Sequence, residues 1–168
     1  MSTFVNAQST CKQGLLLLLV AALLLSACTS AARSPGSPCP ITVPNGSTPP
    51  GEQPSELNHG DGKLWTVLWP NGIVVFSPEG PGEIRADGSL AMKFPWWRGI
   101  SVQGKLEITG RRLDAEGPPA HGEIPFDYGD TGFQPTSIVF PSEGCWEITG
   151  RVANSGLVFV QRVESVGE

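Results

Sequence analysis

From residue 61 onward the chain consists of short apolar segments separated by turn residues, and this spacing limits the fold more than any other feature. Turn signals recur about every 8–12 residues, and no segment has the periodicity of a helix. Such a pattern predicts an all-β domain. We expect an antiparallel β-sandwich of about seven strands over residues 61–168, with a closed barrel as the alternative.

The individual strands are recognised by alternation of apolar and polar residues between turns. Leu90, Met92 and Phe94 lie on one face of such a segment, and Asn71-Gly72 forms a turn between two others. The predicted strands are 62–69, 73–76, 89–94, 105–109, 137–140, 145–151 and 157–163. Residues 77–82 and most of 116–134 are predicted to be loops, because they are rich in Gly, Pro and Asp.

Residues 1–27 have the layout of an export signal peptide. A polar start, with Lys12 as its basic residue, precedes an apolar run over 14–25. The run is too short for a transmembrane helix, which needs roughly 20 apolar residues. Residues 25–28, Leu-Ser-Ala-Cys, resemble the lipobox of bacterial lipoproteins. A soluble secretory signal and an uncleaved anchor are the alternatives.

The lipobox resemblance implies cleavage before Cys28 and attachment of a diacylglyceryl group, with a further acyl chain such as palmitate, to that residue. Several acyl chains anchor a protein stably to a membrane. We therefore expect a lipid-anchored protein on the extracytoplasmic face of the bacterial cell membrane or outer membrane. In that arrangement residues 28–60 are the lipidated cysteine and a tether.

The tether is predicted from composition, since residues 29–60 are rich in Pro, Ser, Thr, Gly and Asn. Such a stretch buries too little apolar surface to offset its ordering entropy, so we expect it to be extended and mobile. Ile41 and Val43 are expected to pair briefly as an edge strand beside Cys39.

The remaining cysteines favour one disulfide. Cys11 lies in the leader and Cys28 carries the lipid, so Cys39 and Cys145 are left. Two cysteines in an exported chain favour pairing. The bond would close a loop of about 105 residues and contribute roughly 4–5 kcal/mol in the chain-entropy model. Two free thiols, or a metal site with His59 or His121, are the alternatives, although the spacing is unlike that of metal ligands.

The segment 140–150, Phe-Pro-Ser-Glu-Gly-Cys-Trp-Glu-Ile-Thr-Gly, resembles the end of an immunoglobulin-like domain. In this resemblance Trp146 takes the corner aromatic position and Ile148 points into the core. Alternation then directs Cys145 to the opposite face. Cys145 would meet Cys39 outside the core, unlike the inter-sheet disulfide of antibody-type domains.

Three segments, 62–72, 87–98 and 140–151, resemble a group of uncharacterised bacterial lipoproteins with an immunoglobulin-like domain. They read GKLWTVLWPNG, DGSLAMKFPWWR and FPSEGCWEITGR. The similarity extends over about Cys39 to Val163. It implies fold and location, and it implies no particular activity.

Trp96-Trp97-Arg98 is the most prominent candidate binding surface. Adjacent residues of a strand face opposite sides, so this pattern is compatible with exposure of one of the two rings. Exposed aromatic rings beside an arginine can stack on sugars or anchor a protein partner. Closure of the core by both rings is nevertheless the interpretation we favour for these two residues. Trp65 and Trp69 lie on one strand face and are expected to belong to the core.

Charge and motifs limit the function classes. The chain has 11 basic and 16 acidic residues, and its basic residues are scattered, so nucleic-acid binding is not expected. There is no G-x-S-x-G nucleophile motif, and Asp127, Asp130 and Glu123 lack the ligand spacing of a known calcium loop. We expect neither a metal nor another cofactor, and no enzymatic activity.

These observations favour a non-catalytic interaction or accessory module at the cell envelope, attached to the membrane through the lipid on Cys28. Its partner would be a protein or a glycan. Carbohydrate binding through Trp96, Trp97 and Arg98 is the alternative. A metal- or thiol-dependent activity at Cys39 and Cys145 is a weaker third hypothesis.

Overall fold

The computed structural model describes residues 38–167, so the predicted signal peptide and lipidated Cys28 lie outside the described residues. Within this range there are twelve strands and one short 3-10 turn, Pro70–Gly72. The strands are β1 (Asn58–Gly60), β2 (Leu64–Val67), β3 (Ile73–Phe76), β4 (Glu83–Ile84), β5 (Leu90–Lys93), β6 (Trp96–Arg98), β7 (Glu107–Arg112), β8 (Ala120–Glu123), β9 (Gly132–Gln134), β10 (Ser137–Phe140), β11 (Gly144–Val152) and β12 (Ser155–Ser165). No helix in residues 38–167 has the length and hydropathy needed to cross a membrane.

The strands form two sheets that pack face to face. The smaller sheet has the order β1-β2-β6-β9, and the larger has the order β3-β12-β11-β7-β8-β10-β5-β4. Neighbouring strands are antiparallel, except that β3 pairs in parallel with the last strand, β12. The prediction of an all-β domain with two packed sheets is therefore confirmed.

The predicted number of strands, about seven, is too low. β8 and β9 lie in the stretch that was predicted to be loop, and β1 lies in the predicted tether. These strands have only three or four residues, interrupted by Gly, so alternation over their length is too short to recognise. Each is a strand because a neighbour supplies its hydrogen bonds, as β10 does for β8.

Large side chains from both sheets fill the space between them. Trp96 of the smaller sheet packs on Phe159 of the larger, with ring centroids 6.0 Å apart. The Trp96 ring also covers Gly150 of β11, where any side chain would overlap it. Trp146 and Ile148 belong to the same buried cluster, as the resemblance of segment 140–150 implied.

Cys145 lies on the other face of β11, where it is buried but outside the cluster between the sheets, and it forms the predicted disulfide with Cys39. Residue Cys39 begins a segment without regular structure, residues 39–57, that we call the N-terminal arm.

The N-terminal arm packs on both sheets. The Thr42 N–H donates to the Val160 carbonyl of β12 at 2.9 Å, and the Val160 N–H donates to Thr42 Oγ1 at 2.8 Å. Asn45 Nδ2 donates to the Gly60 carbonyl of β1 at 2.8 Å. Residues 39–57 therefore do not form a free tether, and the folded part begins before residue 61. Thr42 makes the edge contact predicted for its neighbours, and Val43 is exposed.

The two sheets are joined at one corner by two neighbouring antiparallel chain segments, each of which runs from one sheet into the other, and we call them the ribbon. In one segment β5 continues into β6 through Phe94 and Pro95, and in the other β9 continues into β10 through Pro135 and Thr136. Thr136 Oγ1 donates to the Phe94 carbonyl at 2.7 Å, and the Phe94 N–H donates to the Thr136 carbonyl at 2.9 Å. Two prolines thus lie opposite one another where the ribbon passes from one sheet to the other.

Candidate functional site

Three aromatic residues lie side by side on the outer face of the smaller sheet. Trp65 of β2 is opposite Trp97 of β6, and Trp97 is opposite Phe133 of β9. The rings of Trp97 and Phe133 meet edge to face, with centroids 5.3 Å apart. We call these three residues the aromatic row.

The N-terminal arm covers one end of the aromatic row. Trp65 Nε1 donates to Ser47 Oγ at 3.0 Å, and Trp65 is only 5% exposed. Trp97 Nε1 donates to Glu52 Oε1 at 3.0 Å, and this ring is half-buried. Phe133 is 46% exposed. The open part of the row is therefore Phe133 together with one portion of Trp97.

The structure separates the three residues of the predicted binding surface. Trp96 is fully buried between the sheets, and Arg98 is only 3% exposed, so neither belongs to the sheet face that carries Trp97. Alternation along β6 places both on the inner face and Trp97 on the outer face. The prediction is corrected to Trp97 alone, with Phe133 as a neighbour that sequence reasoning missed.

The other two tryptophans also differ in their surroundings. Trp69 packs against the buried cluster, as expected, whereas Trp65 is covered by the N-terminal arm rather than by the opposite sheet. No sequence pattern identifies Phe133 as a strand residue, because β9 is only three residues long and lies between Gly and Pro residues.

A cleft of about 670 Å³ lies beside Phe133 at the corner where the sheets join, and we call it the corner cleft. Its apolar lining consists of Pro95, Ile124, Pro125, Phe133 and Pro135. The prolines are held by the backbone of the ribbon, so the cleft is formed without ordering of long side chains. Such a concave apolar surface suits rings or short apolar side chains.

The polar rim of the corner cleft carries a paired carboxylate. Glu123 accepts two hydrogen bonds from Arg85, at 2.7 and 3.0 Å. This bidentate contact lowers the pKa of Glu123, so its carboxylate is ionised at neutral pH. Lys93 lines the same cleft. The rim can therefore orient a ligand through charged groups while the floor contacts apolar atoms.

A second cleft, of about 370 Å³, lies at one end of the sandwich between residues 99–106 and 124–131, and we call it the end cleft. The buried guanidinium of Arg98 lines it, together with Lys105, Phe126 and Tyr128. Gln134 Nε2 donates to the Pro125 carbonyl at 3.3 Å and holds the loop that separates this cleft from the corner cleft.

The carboxylates and histidines considered as metal ligands do not converge. Asp127 and Asp130 line the end cleft, whereas Glu123 is bonded to Arg85. No group of three or more potential metal ligands occurs within residues 38–167. His59 is half-buried beside the Val158 carbonyl, and burial lowers its pKa from 6.5.

No protein-family model, curated protein or solved structure matches this chain. It therefore stays a prediction that the chain is a lipoprotein, that it lies at the cell envelope and that it binds a partner.

Proposed function

We propose that the protein is a bacterial lipoprotein, anchored through Cys28 at the extracytoplasmic face of the cell membrane or outer membrane, whose domain is a non-catalytic interaction module. The leader pattern and the lipobox support the anchor. The disulfide Cys39–Cys145 supports an oxidising, extracytoplasmic compartment.

The observation that carries the interaction role is the contact between the open part of the aromatic row and the corner cleft. Phe133 belongs to both, so an exposed ring adjoins a preformed apolar concavity. Aromatic anchors beside pockets are the features that dominate binding energy at protein interfaces. The rim charges of Glu123, which Arg85 holds in place, and of Lys93 would favour one orientation of the partner.

Within the sandwich class we assign the domain to the immunoglobulin-like type. The support is the C-terminal hairpin, in which Trp146 and Ile148 face the core and β11 and β12 pair over nine residues. The eight- and four-stranded sheets are larger than the four- and three-stranded sheets of a constant-type immunoglobulin domain. The assignment therefore rests on the hairpin and not on strand count.

Photo-cross-linking in intact cells tests the interaction role. A photoreactive residue at position 133 of the full, lipid-anchored chain should give one discrete adduct with an envelope protein. The adduct should be lost when Trp97→Ala is added. A photoreactive residue at Val158, which is exposed on the larger sheet, is the control. The proposal fails if position 133 gives no adduct, or if the adducts at 133 and 158 are the same.

Carbohydrate binding by the same row is the second candidate, because Trp97 and Phe133 are neighbours on one sheet face and aromatic rings stack on sugar rings. Titration with neutral envelope glycans should quench tryptophan fluorescence saturably. Trp97→Ala should abolish the response, and Phe126→Ala, which removes an exposed ring outside the row, should not. A response that survives Trp97→Ala would contradict this candidate.

A further inference from the structure

Arg98 is a buried cation whose charge has no ion pair within the described residues. It lies on the inner face of β6 and is 3% exposed. None of the ion pairs among residues 38–167 includes it. Burial lowers the pKa of Arg98, and the charge of Asp130 partly offsets this effect. A buried charge without a paired countercharge is costly, so this arrangement requires a reason.

The hydrogen bonds of Arg98 explain its position but leave donors available. Nη1 donates to the Gly104 carbonyl at 2.9 Å, and Nη2 donates to the Tyr128 carbonyl at 3.0 Å. Nε has no partner within the described residues. Each terminal nitrogen carries two N–H groups, so one N–H on each stays free of these carbonyls. Arg98 thus joins the two loops that form the end cleft, and it also lines that cleft.

The walls of the end cleft combine aromatic rings with charges of both signs. Phe126 is 84% exposed, and Tyr128 is also exposed, so both rings are open to a ligand. Lys105 supplies a second cation. Asp127 adopts a positive φ of 77°, which is uncommon outside glycine and is found at ligand-binding loops.

We propose that the end cleft binds an acidic sugar, with Arg98 and Lys105 directed at the carboxylate of a hexuronate. The rings of Tyr128 and Phe126 then contact the apolar face of the sugar, and Asp127 and Asp130 accept hydrogen bonds from its hydroxyl groups. The ligand carboxylate supplies the countercharge that Arg98 lacks.

Other ligand classes fit this cleft less well. A neutral sugar would leave Arg98 without a countercharge. Inorganic phosphate would make no use of the rings of Phe126 and Tyr128, which line the cleft. A hexuronate uses the cations, the rings and the carboxylates together. The site is separate from the aromatic row, so it does not depend on the proposed function above.

Calorimetric titration of the full chain in detergent micelles, with galacturonate as the probe, tests the proposal. Galacturonate should bind saturably, whereas galactose and acetate should not, because galactose lacks the carboxylate and acetate lacks the sugar ring. Binding should weaken as salt is added, since charges contribute. Equal binding of galactose or of acetate would overturn the proposal, as would absence of galacturonate binding.

Matched variants locate the binding in the end cleft. Lys105 is exposed, so Lys105→Ala leaves the fold intact and should weaken galacturonate binding about two- to fivefold. Lys63→Ala removes another exposed lysine, outside the cleft, and should have no effect. Phe126→Ala should also weaken binding. Unchanged binding in both Lys105→Ala and Phe126→Ala would overturn the assignment.

Arg98→Gln should reduce binding by about tenfold or more, because it removes a charge-assisted contact. Arg98 also holds two loops, so Arg98→Gln tests binding only if this variant unfolds at the same temperature as the wild type. If it unfolds at a lower temperature, Lys105→Ala and Phe126→Ala provide the test of the binding site. Trp97→Ala should leave galacturonate binding unchanged. An incorrect assignment of the aromatic row and an incorrect assignment of the end cleft can therefore be told apart.

Discussion

At the scale of single residues, three consecutive positions of β6 have three different surroundings. Trp96 packs between the sheets, Trp97 lies on the outer face beside Phe133, and Arg98 lines the end cleft. Alternation explains why Trp96 and Arg98 share a face. The composition of the segment does not show which side of the strand faces the core, because the contact that decides it is between Trp96 and Phe159 on the other sheet.

Gly150 shows how strongly the core depends on one missing side chain. A Cβ at this position would overlap the Trp96 ring, which is fully buried and has no room to shift. We expect Gly150→Ala to lower the free energy of unfolding by about 1–3 kcal/mol, the usual cost of overpacking. Urea unfolding followed by tryptophan fluorescence measures this.

Gly156→Ala is the matched control in the same hairpin, because its Cβ would meet no atom closer than 3.7 Å. Its free energy of unfolding should stay within about 0.5 kcal/mol of the wild type, as for an ordinary surface change. If the two alanine variants were equally stable, the packing of Trp96 on β11 would be contradicted.

At the scale of elements, the N-terminal arm is the largest difference from the sequence-based prediction. Its Pro- and Ser-rich composition is typical of a tether, yet Ser47 and Glu52 bond two indole groups of the aromatic row. Few of its own side chains are apolar, so local composition carries no sign of this packing. The disulfide at Cys39 and the edge of β12 hold the arm in place.

Removal of the disulfide should therefore loosen the arm as well as destabilise the domain. The double variant Cys39→Ala/Cys145→Ala should lose about 2–4 kcal/mol of unfolding free energy, because the bond closes a long loop. Trp65 and Trp97 should become more accessible to acrylamide quenching, since the arm covers both rings. Denaturation and quenching curves of the oxidised wild type are the reference.

Reductant supplies the control for this prediction. It should destabilise the wild type to the level of the double variant and leave the double variant unchanged. A wild type whose stability and quenching do not respond to complete reduction would show that the arm is held without the bond.

At the scale of the whole molecule, the predicted anchor lies upstream of the arm and outside the described residues. If Cys28 is the lipidated residue, labelled palmitate should be incorporated into the wild type. Cys28→Ala should lose the label and accumulate as the longer precursor, because lipidation precedes cleavage in lipoproteins. Gel migration and label incorporation measure both effects.

Cys11→Ala is the matched control, because it removes a cysteine of the leader and should leave labelling and processing unchanged. Palmitate label that persists in Cys28→Ala would contradict the lipobox. In that case the alternatives are a soluble secretory signal or an uncleaved anchor, which differ in whether residues 1–27 are removed.

Some elements were predictable from sequence because their patterns are local. β11 and β12 are long and alternate clearly, and β5 shows the same pattern. β8 and β9 were not predictable, because each has only three or four residues including Gly, which is too short for alternation to be recognised. Of the candidate surface, alternation predicted that Trp96 and Trp97 face opposite sides but not which of them is exposed, and Phe133 and the two clefts were not found.

The sequence by itself determined the all-β class, the pairing of Cys39 with Cys145 and the side of β11 on which that pairing lies. Strand alternation, turn residues and cysteine number are local properties, so they are readable without a fold. Only the tertiary structure decided that the arm covers Trp65, that Arg98 is buried in a cleft and that Phe133 adjoins the corner prolines. Those outcomes depend on contacts between segments far apart in the chain, and such contacts leave no periodic signal in any one segment.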